Sequence, residues 1–232
     1  MSGKAPFEAN LSELKRRLKH VSVIFLIFTV LGFALSGELI SMIQADLRLS
    51  LHALRPYEAL RVRILAAVLI SFILTLPVAF YHLIKFAEPG LRQKEYRALR
   101  NVIPLSFGLF LLGGLFSYFF VFKKAIIFFR KYTFGADVEA IWGLSYTASF
   151  AIQLSYLTGL MFQIPVISLL LSKLDIIDAG DMIRYRGYFF VAVIGLSAIA
   201  TPPDILTQVL VAFPMVGLYQ LSIYLVSKTG SY

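Results

Sequence analysis

Long apolar runs separated by short charged clusters dominate this chain. A helix of about 20 residues crosses ~30 Å of hydrocarbon. Six runs meet or approach that length without an internal charge: 21–37 (with a fringe into Leu39 and Ile40), 64–84, 102–122, 144–171, 187–200 and 206–226. Pro77 interrupts the second, Gly113 and Gly114 lie in the third, and Pro165 lies in the fourth. Thr201, Pro202, Pro203 and Asp204 separate the last two, and suit a tight reversal because neither proline can donate to a helix ladder. All thirteen acids fall outside these runs or at their ends, although the runs were not chosen for that. The pattern predicts an all-α, polytopic membrane protein with six transmembrane helices, organised as one integral membrane domain over residues 1–232. No fixed-period repeat divides it.

The fifth run is the exception in length. Its 14 residues reach only roughly 21 Å at 1.5 Å per residue, so the adjacent bilayer is expected to thin or a partner to be drawn in. The first four runs are long enough to form a wall.

Between the runs the polar pattern is also ordered. Asn10 is placed to cap a helix with Glu13 at its third position, and Leu11, Leu14 and Leu18 make a narrow apolar stripe beside Lys15, Arg16, Arg17 and Lys19. Residues 1–20 therefore read as an amphipathic helix lying along the membrane interface. Residues 38–63 alternate apolar and charged positions at roughly helical spacing and contain Arg55-Pro56-Tyr57-Glu58. They predict an outer-face helical cap ending at a proline turn.

Charge orients the chain. With the N-terminus inside, segments 1–20, 85–101, 172–186 and 227–232 hold fourteen basic residues, and the outer segments hold eight, which accounts for all 22. The positive-inside rule then expects both termini in the cytoplasm. The first 20 residues carry charges without a cleavable apolar core, so no signal peptide is expected.

Composition agrees: 59% of residues are hydrophobic against 15% charged, and the mean hydropathy is +0.79, beyond the ~45–50% apolar content of soluble domains. The net charge of +9 is spread in short clusters rather than over one continuous basic surface, so nucleic acid is not an expected partner. The absence of cysteine excludes disulfides and thiol chemistry. No Gly-x-Ser-x-Gly or His-Glu-x-x-His pattern occurs, and His20, His52 and His82 are scattered near different span ends, where they read as interfacial polar residues. No catalytic residue, metal site or cofactor is expected. An ion-coupled transporter would carry ionisable groups inside its spans, whereas these offer mainly Gln153, Gln163, hydroxyls and tyrosines.

Four stretches carry a family likeness: Asn10 to Leu18 (NLSELKRRL), Phe86 to Glu95 (FAEPGLRQKE), Phe162 to Pro165 (FQIP) and Thr201 to Asp204 (TPPD). In this order among six spans, they resemble TatC, the large core subunit of the twin-arginine protein translocase. The resemblance implies a glove-like, concave helix arrangement in the bacterial inner membrane. It also implies a receptor and scaffold, not an enzyme, that binds twin-arginine signal peptides of folded cargo at the cytoplasmic face. Single-span partners of the TatA and TatB type, a homo-oligomeric assembly and the proton-motive force complete the expected system.

The same resemblance names residues. Glu13 and Glu95 match the family's acidic positions, and two guanidinium groups do ask for fixed carboxylates able to accept forked hydrogen bonds; either acid also suits a local salt bridge, and Glu13 a helix cap. Phe86 corresponds to a position beside the recognition surface or is an interfacial anchor. Lys15 stands where the family has arginine and keeps the charge without the planar fork. Gln163 stands where the family commonly has an intramembrane glutamate. It is read as a contact for a partner helix or cargo, against an internal bond to a carbonyl freed near Pro165. Pro77 and Pro165 are expected to bend their helices and help shape the concave wall. Asp204 either caps the sixth helix or serves a step after signal-peptide binding.

Overall fold

The computed structural model describes residues 4–47, 51–88, 93, 96, 100–134, 141–200 and 205–229, with the backbone alone for 4–11 and for 132, 134, 199, 200, 206 and 229. Helices are the named elements: α1 (Lys4–Leu47), α2 (Glu58–Ala87), α3 (Val102–Phe116), a π-helical segment (Ser117–Phe122), α4 (Lys123–Phe134), α5 (Leu144–Met161), α6 (Ile164–Lys173), α7 (Ala179–Ala200) and α8 (Ile205–Thr229).

The interfacial helix and the first span are one element. Between residues 4 and 47 the sole proline is Pro6, in the first turn, where its missing N–H is an orphan in any case. Nothing therefore stops the helix near residue 20, and Asn10 lies inside it rather than at a cap. At 44 residues α1 is about 66 Å long, more than twice the hydrocarbon thickness. Its last turns supply the helical part of the expected cap, and the remainder, 51–57, is not helical. There His52 N–H donates to the Trp142 carbonyl (2.9 Å) and Leu144 N–H to the His52 carbonyl (2.8 Å), a short parallel bridge that ties the α1–α2 connection to the start of α5. A turn closed by Glu58 N–H on the Arg55 carbonyl (3.1 Å) then launches α2.

Small residues set the close approach of α1 and α2. A Cβ on Gly32 would stand 2.7 Å from the Ala67 carbonyl oxygen, and the Ser71 hydroxyl donates to the Phe25 carbonyl at 2.7 Å while receiving the Thr29 hydroxyl at 3.1 Å. Such contacts replace the hydrophobic effect, which gives no drive for helices to associate inside lipid. α2 continues through Pro77 to Ala87 without ending.

The third span does not end at Phe122. Its helix runs from Val102 to Phe134, with Ser117–Phe122 wound as a π-helix. Beyond the π segment, Lys123 Nζ reaches Asp46 Oδ1 of α1 at 2.8 Å, and the Tyr118 hydroxyl donates to Asp46 Oδ2 at 2.7 Å. The fourth span, by contrast, is two helices. Pro165 has no N–H for the ladder and begins α6 in its first turn, while Gln163 N–H turns to the Leu160 carbonyl at 3.0 Å. Glycines again allow contact: a Cβ on Gly113 would lie 2.7 Å from the Phe162 ring, and one on Gly159 2.9 Å from the Phe110 ring.

α5 and α6 are the middle of the bundle. Of their most apolar stretch 61% is buried, against 11% for α1, which lies at the periphery. A cavity of about 400 Å³ opens between α1, α2, α3 and α5, walled by Leu69, Phe110 and Ile152 with Asp46 and Tyr118 at its rim. This apolar hollow gives the bundle a concave side. α7 and α8 pack through a smaller cluster in which the Phe189 and Tyr219 rings stack at 3.9 Å and the Tyr219 hydroxyl donates to the Met182 carbonyl at 2.8 Å. α8 also carries Pro214 inside it.

Among the described residues five helical stretches are long and apolar enough to cross a membrane: 12–47, 58–87, 102–131, 144–173 and 207–228. α7 does not join them. Asp181, Arg184 and Arg186 occupy its first two turns, which leaves the short apolar stretch from Gly187 that the sequence outlines.

Candidate functional site

One end of the α1–α2 pair gathers Glu13, Lys15 and Phe86. Glu13 is half-buried on α1, and Arg17, one turn later, directs both Nε (3.0 Å) and Nη2 at its Oε1. Lys15, Arg16 and Lys19 are exposed on either side, so the carboxylate is embedded in positive charge. Two turns along from Glu13, His20 stacks on His82 of α2 with ring centroids 6.1 Å apart and planes 9° from parallel. Its Nδ1 lies 2.8 Å from the Arg16 carbonyl, which fixes that nitrogen as the donor. Phe86 is half-buried one turn beyond His82, next to exposed Lys85. The helices thus bring Glu13, Arg17, His20, His82 and Phe86 to one end of the bundle. The second acid, Glu95, lies outside the described residues.

One feature of this end differs from the sequence reading, and another is an alternative that it left open. His20 and His82 are not scattered: they are 62 positions apart in the chain but meet because α1 and α2 run antiparallel. The direct Arg17 partner of Glu13 was legible only as four-residue spacing on one helix face.

Gln163 stands apart, at the break between α5 and α6, and only 2% of it is exposed. Its Nε2 donates to the Ser106 carbonyl of α3 at 3.1 Å and, more weakly, to the Gly159 carbonyl at 3.4 Å. The second acceptor is the carbonyl that loses its ladder partner when Gln163 N–H turns to Leu160. The Oε1 atom and the neighbouring Ser106 hydroxyl are buried without a hydrogen-bond partner. Pro165 directly follows this break, whereas Pro77 lies within the unbroken α2. Asp204 lies outside the described residues, and so does the Thr201 to Pro203 turn. Among the described residues no three His, Asp or Glu side chains are grouped as metal ligands.

Residues 9–214 match the family model described as Sec-independent protein translocase protein (TatC). The chain belongs to the TatC family. It is 33% identical over 224 residues to the Sec-independent protein translocase protein TatCy of Bacillus subtilis, covering 95% of this chain and 88% of that protein. The TatC protein of Listeria innocua is 32% identical over 217 residues, covering 92% and 88% of the two chains. A crystal structure of the twin arginine translocase receptor TatC in DDM superposes with a TM-score of 0.84 at 30% identity, over 94% of this chain and 99% of that one. This TatC-family chain is accordingly a core subunit of Sec-independent protein translocation, a multi-pass membrane protein of all-helical build.

Proposed function

We infer that the α1–α2 end of this TatC chain is a cytoplasmic receptor for the paired arginines of signal peptides on folded cargo. The observation that carries this reading is the Glu13 carboxylate, set among lysines and arginines and already accepting the forked guanidinium of Arg17. A signal-peptide arginine would take over that geometry, with Glu95 as the second acceptor, Lys15 as a flanking charge and Phe86 as an apolar wall. Charge-assisted, forked bonds of this kind favour arginine over lysine.

On this reading the whole chain acts as one integral domain of the bacterial inner membrane with both termini in the cytoplasm. It works by binding rather than by covalent chemistry. Single-span partners of the TatA and TatB type join a complex holding more than one copy of this chain, and the proton-motive force drives transport. Gln163 is the intramembrane contact for a partner or cargo helix, reached when the α5–α6 break opens and its unpartnered Oε1 gains a donor. Pro165 sets that break, Pro77 shapes the wall, and Asp204 serves a step after peptide binding.

Site-specific cross-linking tests the assignment. Photoreactive groups at positions 13, 95 and 163 should capture a twin-arginine peptide at the first two and a partner helix at the third. Unaltered capture of the peptide after joint charge reversal of Glu13 and Glu95 overturns the receptor reading.

A further inference from the structure

A second cavity, of about 690 Å³, opens at the other end of the bundle from Glu13, where α2 and α5 begin. Arg55 lines it from the turn before α2, Glu58 and Arg61 from the start of α2, and Ser149 and Gln153 from α5. Glu58 is only 3% exposed, and one of its oxygens accepts Leu54 N–H at 3.0 Å. Among the described residues it joins no ion pair, although Arg55 and Arg61 share its cavity. The carboxylate is thus held by a backbone N–H at the start of α2, with no cation bonded to it.

Two further features call for an anion beside the carboxylate. Ser149 is 6% exposed, and its hydroxyl is buried without a partner. Arg61 brings a guanidinium suited to phosphate. Opposite charges held apart in one cavity fit a ligand that carries both signs, an ammonium for Glu58 and a phosphate for Arg61 and Ser149.

The rim tells which source supplies it. Trp142 and Tyr146 stand at the cavity mouth where the spans begin, the level at which aromatic side chains mark the membrane interface. Ile141 and Tyr146 are 72% and 74% exposed, and Leu54 is 57% exposed, an apolar apron along which acyl chains can lie. We propose that this cavity holds the headgroup of a phospholipid bearing a primary ammonium and a phosphate, with its tails running out over Ile141 and Tyr146.

Trp142 is the chain's single tryptophan and lines the cavity, so its fluorescence reports occupancy. The purified full chain in lipid-free detergent micelles is titrated with short-chain phosphatidylethanolamine. A saturable change in Trp142 emission is expected. Arg61→Ala and Glu58→Gln should each weaken it by about tenfold or more, the size of one lost charge-assisted hydrogen bond. Phosphatidylcholine, whose methylated nitrogen has no N–H for Glu58, should bind about tenfold more weakly as well. Binding of phosphatidylglycerol as tight as that of phosphatidylethanolamine overturns the proposal, because Glu58 then has no role. Equal binding of free phosphoethanolamine overturns the lipid source, and an unsaturable response in the unaltered protein overturns the site. Glu58 also supports the start of α2, so helical content by circular dichroism accompanies each variant. Should Glu58→Gln fail to fold, Arg61→Ala and the headgroup series decide alone.

Discussion

The side-chain amide of Gln163 donates to the Ser106 carbonyl at 3.1 Å, which ties the broken fourth span to α3 near the middle of the bundle. The same side chain leaves its Oε1 buried and unpartnered. A residue that both stabilises and remains unsatisfied is one whose removal separates two roles. Gln163→Leu loses one interhelical bond, worth roughly 0.6–2 kcal/mol, and should lower the melting temperature in detergent. If the free oxygen serves a partner helix, the variant should also lose partner co-purification beyond what a matched destabilising change elsewhere causes. Unchanged co-purification and export would show that the amide is purely internal.

Arg17 and an incoming arginine compete for one carboxylate. The resident pair is partly exposed and lies one helical turn apart, so it contributes roughly 0.3–0.5 kcal/mol. Arg17→Ala should therefore tighten twin-arginine peptide binding by only about twofold. Glu13→Lys should remove it to the limit of detection. Peptide titration against the purified chain separates the two, and a loss of binding in Arg17→Ala would mean that Arg17 supports the site instead of competing for it.

Two glycines make opposite demands. A methyl at Gly32 would meet the Ala67 backbone carbonyl at 2.7 Å, and backbone cannot swing aside, whereas Gly108 has open space around it. Gly32→Ala should force α1 from α2 and cost about 1–3 kcal/mol, the range for overpacking. Gly108→Ala should be neutral or stabilising by up to about 1 kcal/mol through helix propensity. Thermal unfolding of the two variants in the same detergent gives the comparison.

These cases mark how far the sequence is legible. The apolar runs are continuous enough that hydrocarbon length alone locates the spans, and the short stretch after Arg186 is visible as a gap between charges. Where one helix stops is harder to read. Residues 10–20 resemble a separate capped helix, but a cap works only if the chain before it leaves the helix, and nothing upstream of Asn10 makes it do so. The π-helical Ser117–Phe122 has no composition of its own, and the contacts of Tyr118 and Lys123 with Asp46 depend on a partner 72 and 77 positions away. Glu13 was singled out by the family resemblance, while its own surroundings read as a local salt bridge, the contact that Arg17 makes. The His20–His82 stack was not legible, because antiparallel packing rather than local pattern creates it.

The short apolar part of α7 invites a test of its own. From Gly187 to Ala200 the helix reaches roughly 21 Å, against ~30 Å of hydrocarbon, and Arg184 and Arg186 precede that stretch on the same helix. If this helix spans the bilayer, the mismatch is met by local thinning or strain, at a cost of fractions of a kcal/mol per Å. If cargo crosses at that thinned patch, relieving the mismatch removes the patch without touching Glu13. Insertion of one apolar turn after Val193 adds about 5.4 Å. Export of a folded reporter should fall severalfold, while twin-arginine peptide binding to the same variant stays within about twofold of the unaltered chain. The insertion also rotates little of the α7–α8 contact, since a full turn restores the facing side chains. Normal export by the lengthened chain would show that its short span plays no part in the crossing.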